Sequence, residues 1–328
     1  MIGTRRVALA IVAAATVGLL PAAAAAQGKP WKHALLNAKA DAGIFMMAAK
    51  RGFAQKQGLN LELLQVKDDQ IGLKALIAGE VDSFEGGPQG VFAAAARGAD
   101  VKIIGCHWIV LPHGIYVRDD IKKVDDLKGK SVAVSAPNSM PDMLARFALA
   151  KYGVGAEEVK LAAVGGDRER YQALAGGVVE AAVVSNEYQP TMPNNLRLLI
   201  AGRDAVPNFL RVCMVTSGKV LAERGDDVAR FLASEMQALR YALSHKAETV
   251  ALTQEITHAK PDDPRPGFVY DDAIAHHAVD ADLPIPADKL NWMQEQLVKA
   301  GKLKEPIPLT KVTAPEYREK ARALLGGH

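Results

Sequence analysis

Ala75-Leu76-Ile77-Ala78-Gly79-Glu80-Val81-Asp82 is written a second time as Ala173-Leu174-Ala175-Gly176-Gly177-Val178-Val179-Glu180, at an offset of 98 residues. The shared pattern, A-L-x-x-G-x-V-acid, describes a helix that ends on a glycine able to turn left-handed, followed by β-branched residues that enter a strand. The same offset lays Lys32 on Lys130, Ala38 on Ala136, Val66 on Val164 and Asp69 on Asp167. One register aligns strand, helix start and helix end together, which predicts two consecutive α/β units of similar length.

Working outward, residues 33–37 read as a first strand, and Asp41 opens an amphipathic helix with Ile44, Phe45, Met46, Ala48 and Ala49 inward, closed by Gly52 and Gly58. Residues 59–66 and 81–84 are further strands, separated by a helix over 70–78 that Asp68 or Asp69 caps. Short β-α-β-α-β connections predict a parallel sheet covered on both faces. Glu85-Gly86-Gly87-Pro88-Gln89 then turns into an alanine-rich helix, and 101–105 is another strand. The second unit has strands at 132–135, 159–164 and 179–184, helices at 141–151 and 168–175, and a further strand at 196–201. Between the units, residues 106–118 are extended and β-branched but carry Pro112 and Gly114, which disturb a regular central strand, so the stretch reads as a crossover. Residues 211–216 are a second extended apolar stretch. Beyond it the pattern is helical only, at 226–244, 247–257, 271–279, 287–300 and 315–325. The expectation is two α/β lobes: residues 27–114 plus 210–328 form the first, with the helical C-terminal part on it, and 115–209 form the second. A cleft between them is the place for a small molecule.

The first 26 residues stand apart. Met1 to Arg6 is basic, the 14 residues from Val7 to Leu20 are apolar, and Ala24-Ala25-Ala26 is a cleavage site before Gln27. They predict export to the periplasm with cleavage after Ala26, and Arg5-Arg6 leaves the choice between general and twin-arginine export open. The apolar run is shorter than the ~20 residues a membrane span needs. Loss of Arg5 and Arg6 lowers the formal charge from +3 to +1, and no basic run with interleaved aromatics points to nucleic acid. Cys106 and Cys213 are the two cysteines. They can bridge if the two crossings run side by side, but a bridge at a hinge restricts closure, and free thiols are the expectation.

Residues 59–98, with the A-L-x-x-G-x-V-D pattern, a Gly-Gly-Pro turn and the run A-A-A-R-G-A-D-V-K-I, resemble the periplasmic solute-binding proteins of the nitrate, sulfonate, taurine and thiamine-pyrimidine group. Val117-Arg118-Asp119-Asp120 through Asp126-Leu127-Lys128-Gly129-Lys130-Ser131-Val132-Ala133-Val134 resembles that group's entry into its second lobe. The resemblance covers residues 32–245. It implies a two-lobed type II periplasmic-binding-protein fold of α/β class, and a monomeric receptor that closes on a small solute and hands it to the permease and ATPase of an ABC importer.

In open α/β sheets ligands lie off the carboxyl ends of the strands, where helix N-termini offer free N–H groups. The candidate contacts are therefore Asn37, Lys39 and Asp41 after the first strand; Glu85, Gly87 and Gln89 after the third; Trp108 at the crossover; Ser135, Asn138 and Ser139 in the turn that opens the second unit; and Glu187 and Tyr188. Ser139 and Asp142 have capping-box spacing, which competes with a ligand role. Asp41, Asp69 and Asp167 stand where helices begin, and capping is their ordinary task. Glu85 and Glu187 have no cap to explain them. Trp108 and Tyr188 offer flat surfaces to a planar solute, and the acids ask for hydrogen-bond donors, so a heterocycle such as an aminopyrimidine is expected over nitrate or a sulfonate. No catalytic residue, metal ligand set or cofactor motif is identified: Glu255-x-x-His258 is one half of a paired di-iron pattern, and no H-E-x-x-H, G-x-S-x-G or G-x-x-x-x-G-K occurs. The alternative is a secreted enzyme on the same fold with Glu85 or Glu187 as acid or base.

Overall fold

The computed structural model describes residues 29–326, so the expected leader and its cleavage point lie outside the described residues. In chain order, β1 (Trp31–Leu36) leads to α1 (Ala42–Phe45), α2 (Met47–Lys50), α3 (Phe53–Lys56), β2 (Leu61–Val66), α4 (Asp69–Ala78), β3 (Ser83–Gly86), α5 (Pro88–Ala95) and β4 (Val101–Trp108). After the crossing come β5 (His113–Arg118), β6 (Ser131–Val134), α6 (Met140–Lys151), β7 (Lys160–Ala163), α7 (Asp167–Ala175), β8 (Ala181–Ser185), β9 (Leu196–Ala201) and α8 (Gly202–Ala205). The chain then forms β10 (Val212–Ser217) and the helices α9 (Gly218–Ser244), α10 (Lys246–Thr257), α11 (Arg265–Ala275), α12 (Ala287–Lys299), α13 (Leu309–Val312) and α14 (Pro315–Leu324).

The repeat is visible in the sheets. One has strand order β2-β1-β3-β10-β4 and the other β7-β6-β8-β5-β9, each with five strands. β1 pairs in parallel with β2 and β3, and β6 with β7 and β8. The expectation of wholly parallel sheets is corrected: β10 runs antiparallel between β3 and β4, and β5 antiparallel between β8 and β9. The two extended stretches between the units are these antiparallel strands, because a chain crossing over from one sheet enters the other from the opposite end. Gly114 sits inside central β5 for lack of room, since a Cβ there would lie 2.7 Å from the carbonyl oxygen of Ile200. The disturbance expected of this stretch is a register shift beside Ile115 and Tyr116.

Other expectations also change. The single helix after Asp41 is three short ones, broken where Met46 and Arg51 leave helical angles and Gly52 turns left-handed. Prolines at its start let α11 begin at Arg265, and it ends before His277 at φ 47. α9 begins at Gly218 and is interrupted at Arg224, whose guanidinium reaches Asp82 at 2.8 Å and lies over the Trp31 ring. The free thiols are corrected too: Cys106 lies opposite Cys213 in the β4–β10 register and the two form a disulfide. The bridge joins neighbouring strands of one sheet and therefore does not tie two moving parts together.

Phe231, Leu232, Met236 and Leu239 of α9 pack with Trp31, Ile104, Trp108, Val212 and Met214, which lays the C-terminal helices against the first sheet. Each fully buried side chain of this kind contributes ~1.5–3 kcal/mol.

Candidate functional site

The turn that leaves β1 carries Asn37, Lys39 and Asp41 to the carboxyl edge of the first sheet, where Glu85 stands one residue before the end of β3 and the chain returns through Arg211. These residues line a small cavity of ≈ 30 Å³ with Phe45, Met46 and apolar neighbours. That is about the volume of one water molecule. Asp41 stands at the N-cap of α1 without capping it. Its carboxylate accepts a hydrogen bond from Arg211 Nη2 at 2.5 Å, and the guanidinium lies 4.1 Å from the Trp108 ring centre, where indole and cation attract. Trp108 in turn stacks on Phe45 at 5.1 Å. Nη1 of Arg211 is buried and has no hydrogen-bond partner.

Contacts cross from this turn to the second sheet. Lys39 Nζ pairs with Asp167 at the start of α7, and the Ala40 N–H donates to Glu187 Oε2 at 3.1 Å. At the rim, Asn186 Nδ2 donates to Asp272 of α11 at 2.7 Å, and Arg203 pairs with the same carboxylate. The repeat recurs in chemistry. Asp69 accepts from the Gly87 N–H and Asp167 from the Ser185 N–H, both at 3.3 Å and both spanning 18 residues. Neither caps its helix, since Asp68 caps α4 through the Ile71 N–H and Gly166 precedes α7. Burial pushes the Asp167 carboxyl up, but Lys39, Arg170 and His113 outweigh that and hold it well below the usual range. Burial dominates at Asp69, which is raised to about 6.

Glu85 is different. Among the described residues no group donates a hydrogen bond to its carboxyl, and its Oε2 lies 3.6 Å from Nε2 of both His33 and His107, beyond hydrogen-bond range. Burial, and then Asp41, push its carboxyl well above the ordinary value. Burial lowers both imidazoles to about 3, and burial together with Glu85 raises Glu235 of α9 behind them. Glu187, with Ala40 as its partner, is raised from 4.5 to about 7 by burial, with Lys39 opposing and Asp167 and Asp41 reinforcing.

Of the sequence candidates, Asn37, Lys39, Asp41 and Glu85 thus meet around one cavity, and Glu187 contacts the same turn at Ala40 without lining the cavity. Trp108 is buried beneath Arg211, and Gln89 is buried near Gly87 with Oε1 unpartnered. Tyr188 stacks on Tyr171 at 4.3 Å. The turn opening α6 is occupied by its own helix: Ser139 caps it through the Asp142 N–H, and the Asn138 N–H donates to Asp142. Ser135 accepts from Arg170. Gly87, Gln89, Trp108, Ser135, Asn138, Ser139 and Tyr188 do not line the cavity. Sequence reasoning missed Arg211, His33 and His107. Arg211 left a trace, a cation opening an otherwise apolar extended run. The histidines sit on strands where core packing is the ordinary expectation. Among the described residues no group of three or more His, Cys, Asp or Glu is arranged to hold a metal ion, and no helix is long and apolar enough to cross a membrane.

The NMT1/THI5-like family profile matches residues 39–249. A protein of Brucella abortus (strain 2308) named as a binding protein is 25% identical over 257 residues, covering 76% of this chain and 77% of that one. Among solved structures, the ligand-binding component of an ABC-type import system from Staphylococcus aureus superposes with TM-score 0.72 at 14% identity, covering 89% and 99% of the two chains. The periplasmic aliphatic sulphonate binding protein SsuA from Escherichia coli does so with TM-score 0.70 at 18% identity, covering 87% and 92%. With a family match over most of its length and the periplasmic-binding-protein fold, the chain belongs to the NMT1/THI5-like family.

Proposed function

We propose that this protein is a periplasmic, monomeric receptor that closes two lobes, residues 27–114 with 210–328 and residues 115–209, around a small solute and delivers it to the permease and ATPase of an ABC importer. The bonds from Lys39 to Asp167 and from Ala40 to Glu187 support the closing motion, because each joins the turn after β1 to an element of the second unit. A cavity of ≈ 30 Å³ admits no solute until those contacts part. Asn37, Lys39, Asp41, Glu85 and Glu187 are the residues we assign to the solute.

The single observation that carries the choice of solute is Glu187, a buried carboxyl whose hydrogen bond comes from the Ala40 N–H. A buried acceptor with spare lone pairs favours a solute that brings N–H donors, and Phe45 and Met46 provide an apolar wall for a planar body. The solute is therefore an aminopyrimidine or similar heterocycle rather than nitrate or a simple sulfonate. A melting screen tests this, since a binder at ~100 times its dissociation constant adds ~2.7 kcal/mol to folded-state stability. Stabilisation by heterocycles that is lost in Glu187→Gln is expected. Stabilisation by nitrate or a sulfonate alone, unchanged in that variant, overturns the solute class.

A further inference from the structure

Five carboxyls, those of Asp41, Asp69, Glu85, Asp167 and Glu187, surround the cleft with three cations, Lys39, Arg170 and Arg211. Arg211 pairs with Asp41 through Nη2 and keeps Nη1 without a hydrogen-bond partner, and Lys39 and Arg170 pair with Asp167. Glu85 lines the cavity without a hydrogen-bond donor among the described residues, and only ring nitrogens approach it, at 3.6 Å. Ser83 Oγ lies 2.7 Å from His33 Nδ1 and takes the Trp31 Nε1–H at 2.9 Å, and neither ring nitrogen of His107 has a hydrogen-bond partner. The charged and titratable groups around Glu85 are His33 on β1, His107 on β4, Glu235 on α9, Asp69 on α4, and Lys39, Asp41 and Arg211 from the turns. Asp41 and Asp69 oppose ionisation of Glu85, and Arg211 favours it.

We infer that Glu85 is the counter-ion for a cationic nitrogen of the solute, and that capture of such a solute releases one proton from the cleft. The inference rests on the solute-binding reading and narrows it from a donor-bearing solute to a positively charged one. An ionised Glu85 without a partner is too costly at 5% exposure, so the carboxyl holds its proton until a positive charge arrives. The O–H bond then breaks, the carboxylate accepts the solute's N–H, and the proton leaves to solvent. It does not stay on His33 or His107, whose rings burial keeps neutral. A neutral base would instead take that proton itself, and none would be released.

Three planar probes of similar size separate the outcomes: 4-aminopyridine, a cation at neutral pH; 4-aminopyrimidine, its uncharged counterpart; and benzenesulfonate. Calorimetric titration of the wild-type protein in two buffers of different ionisation enthalpy counts the protons. The expected result is tightest binding of 4-aminopyridine, release of about one proton, and affinity that strengthens as pH rises, by at most about tenfold per pH unit. Glu85→Gln fills the same space, and is expected to remove both the proton release and the preference for the cation. Equal affinity and proton count in that variant overturn the inference. So does tighter binding of 4-aminopyrimidine or benzenesulfonate by the wild type, which leaves the solute-binding reading standing. If the variant does not fold, the proton count on the wild type decides alone, with zero overturning the inference. No binding of any probe goes against both the inference and the reading beneath it.

Discussion

Replacing Glu187 with glutamine removes a titrating group while leaving an oxygen to accept the Ala40 N–H, so the variant isolates the cost of a buried carboxyl. The unfolded chain releases the Glu187 proton at the ordinary value of 4.5, whereas burial moves the folded-state value to about 7. The folded chain therefore binds more protons between those limits, and the stability this group contributes is full below pH 4.5 and lost as pH rises through 7. A tenfold change in proton affinity corresponds to ~1.4 kcal/mol, so the loss saturates at about 3 kcal/mol. Glutamine carries no such penalty. Urea unfolding of both proteins from pH 4.5 to pH 8.5 is expected to give a difference in favour of Glu187→Gln that is near zero at the acid end and approaches about 3 kcal/mol above pH 8. The groups that titrate in both proteins, Glu85, Asp69 and His113 among them, cancel in the difference. A difference that does not change with pH, or a variant less stable than wild type at pH 8, would refute the reasoning.

Alkylation without reductant is expected to label neither cysteine in intact-mass measurement, and the double variant Cys106→Ser/Cys213→Ser to lose about 5 kcal/mol, the chain-entropy value for bridging a separation of 107 residues. Arg211→Met strands the Asp41 carboxylate in a buried site and is expected to cost about 3–5 kcal/mol in chemical denaturation; a loss under 1 kcal/mol would show that Asp41 finds another donor. Lys39→Met removes the bond from the turn after β1 to the second unit while Asp167 keeps Arg170. Because the Lys39 side chain is 27% exposed, stability should move by less than ~1 kcal/mol, whereas small-angle scattering should report a larger radius of gyration; an unchanged radius would mean that this bond does not hold the cleft shut.

The repeat of residues 75–82 at 173–180 led to the paired β-α-β-α-β units because a helix stop and a strand entry leave local marks in the chain. The placing of β5 and β10 left none, since an extended apolar run has the same composition whether it pairs parallel or antiparallel, and pairing is decided by a partner about a hundred residues away in sequence. The same division holds at the site. Glu85 and Glu187 stood out because an acid at a strand end with no helix to cap calls for a reason. Asp41 and Asp167 were legible as helix starts, yet their side chains turn to Arg211 and Lys39. An N-cap bond contributes ~1 kcal/mol, and a charge-assisted bond in a buried site is stronger, so the tertiary partner wins. His33 and His107 were invisible because nothing in a strand sequence tells a packed imidazole from one that faces a carboxyl across the sheet.

β10 lies between β3 and β4, so the first sheet cannot be completed until residues 212–217 have been made. Through synthesis of the whole intervening unit, on the order of ten seconds at cellular rates, one edge each of β3 and β4 is bare and the cysteine of β4 has no mate. The second sheet has no such wait, because all five of its strands lie between residues 113 and 201. The ribosome thus issues a chain whose middle can fold before its beginning.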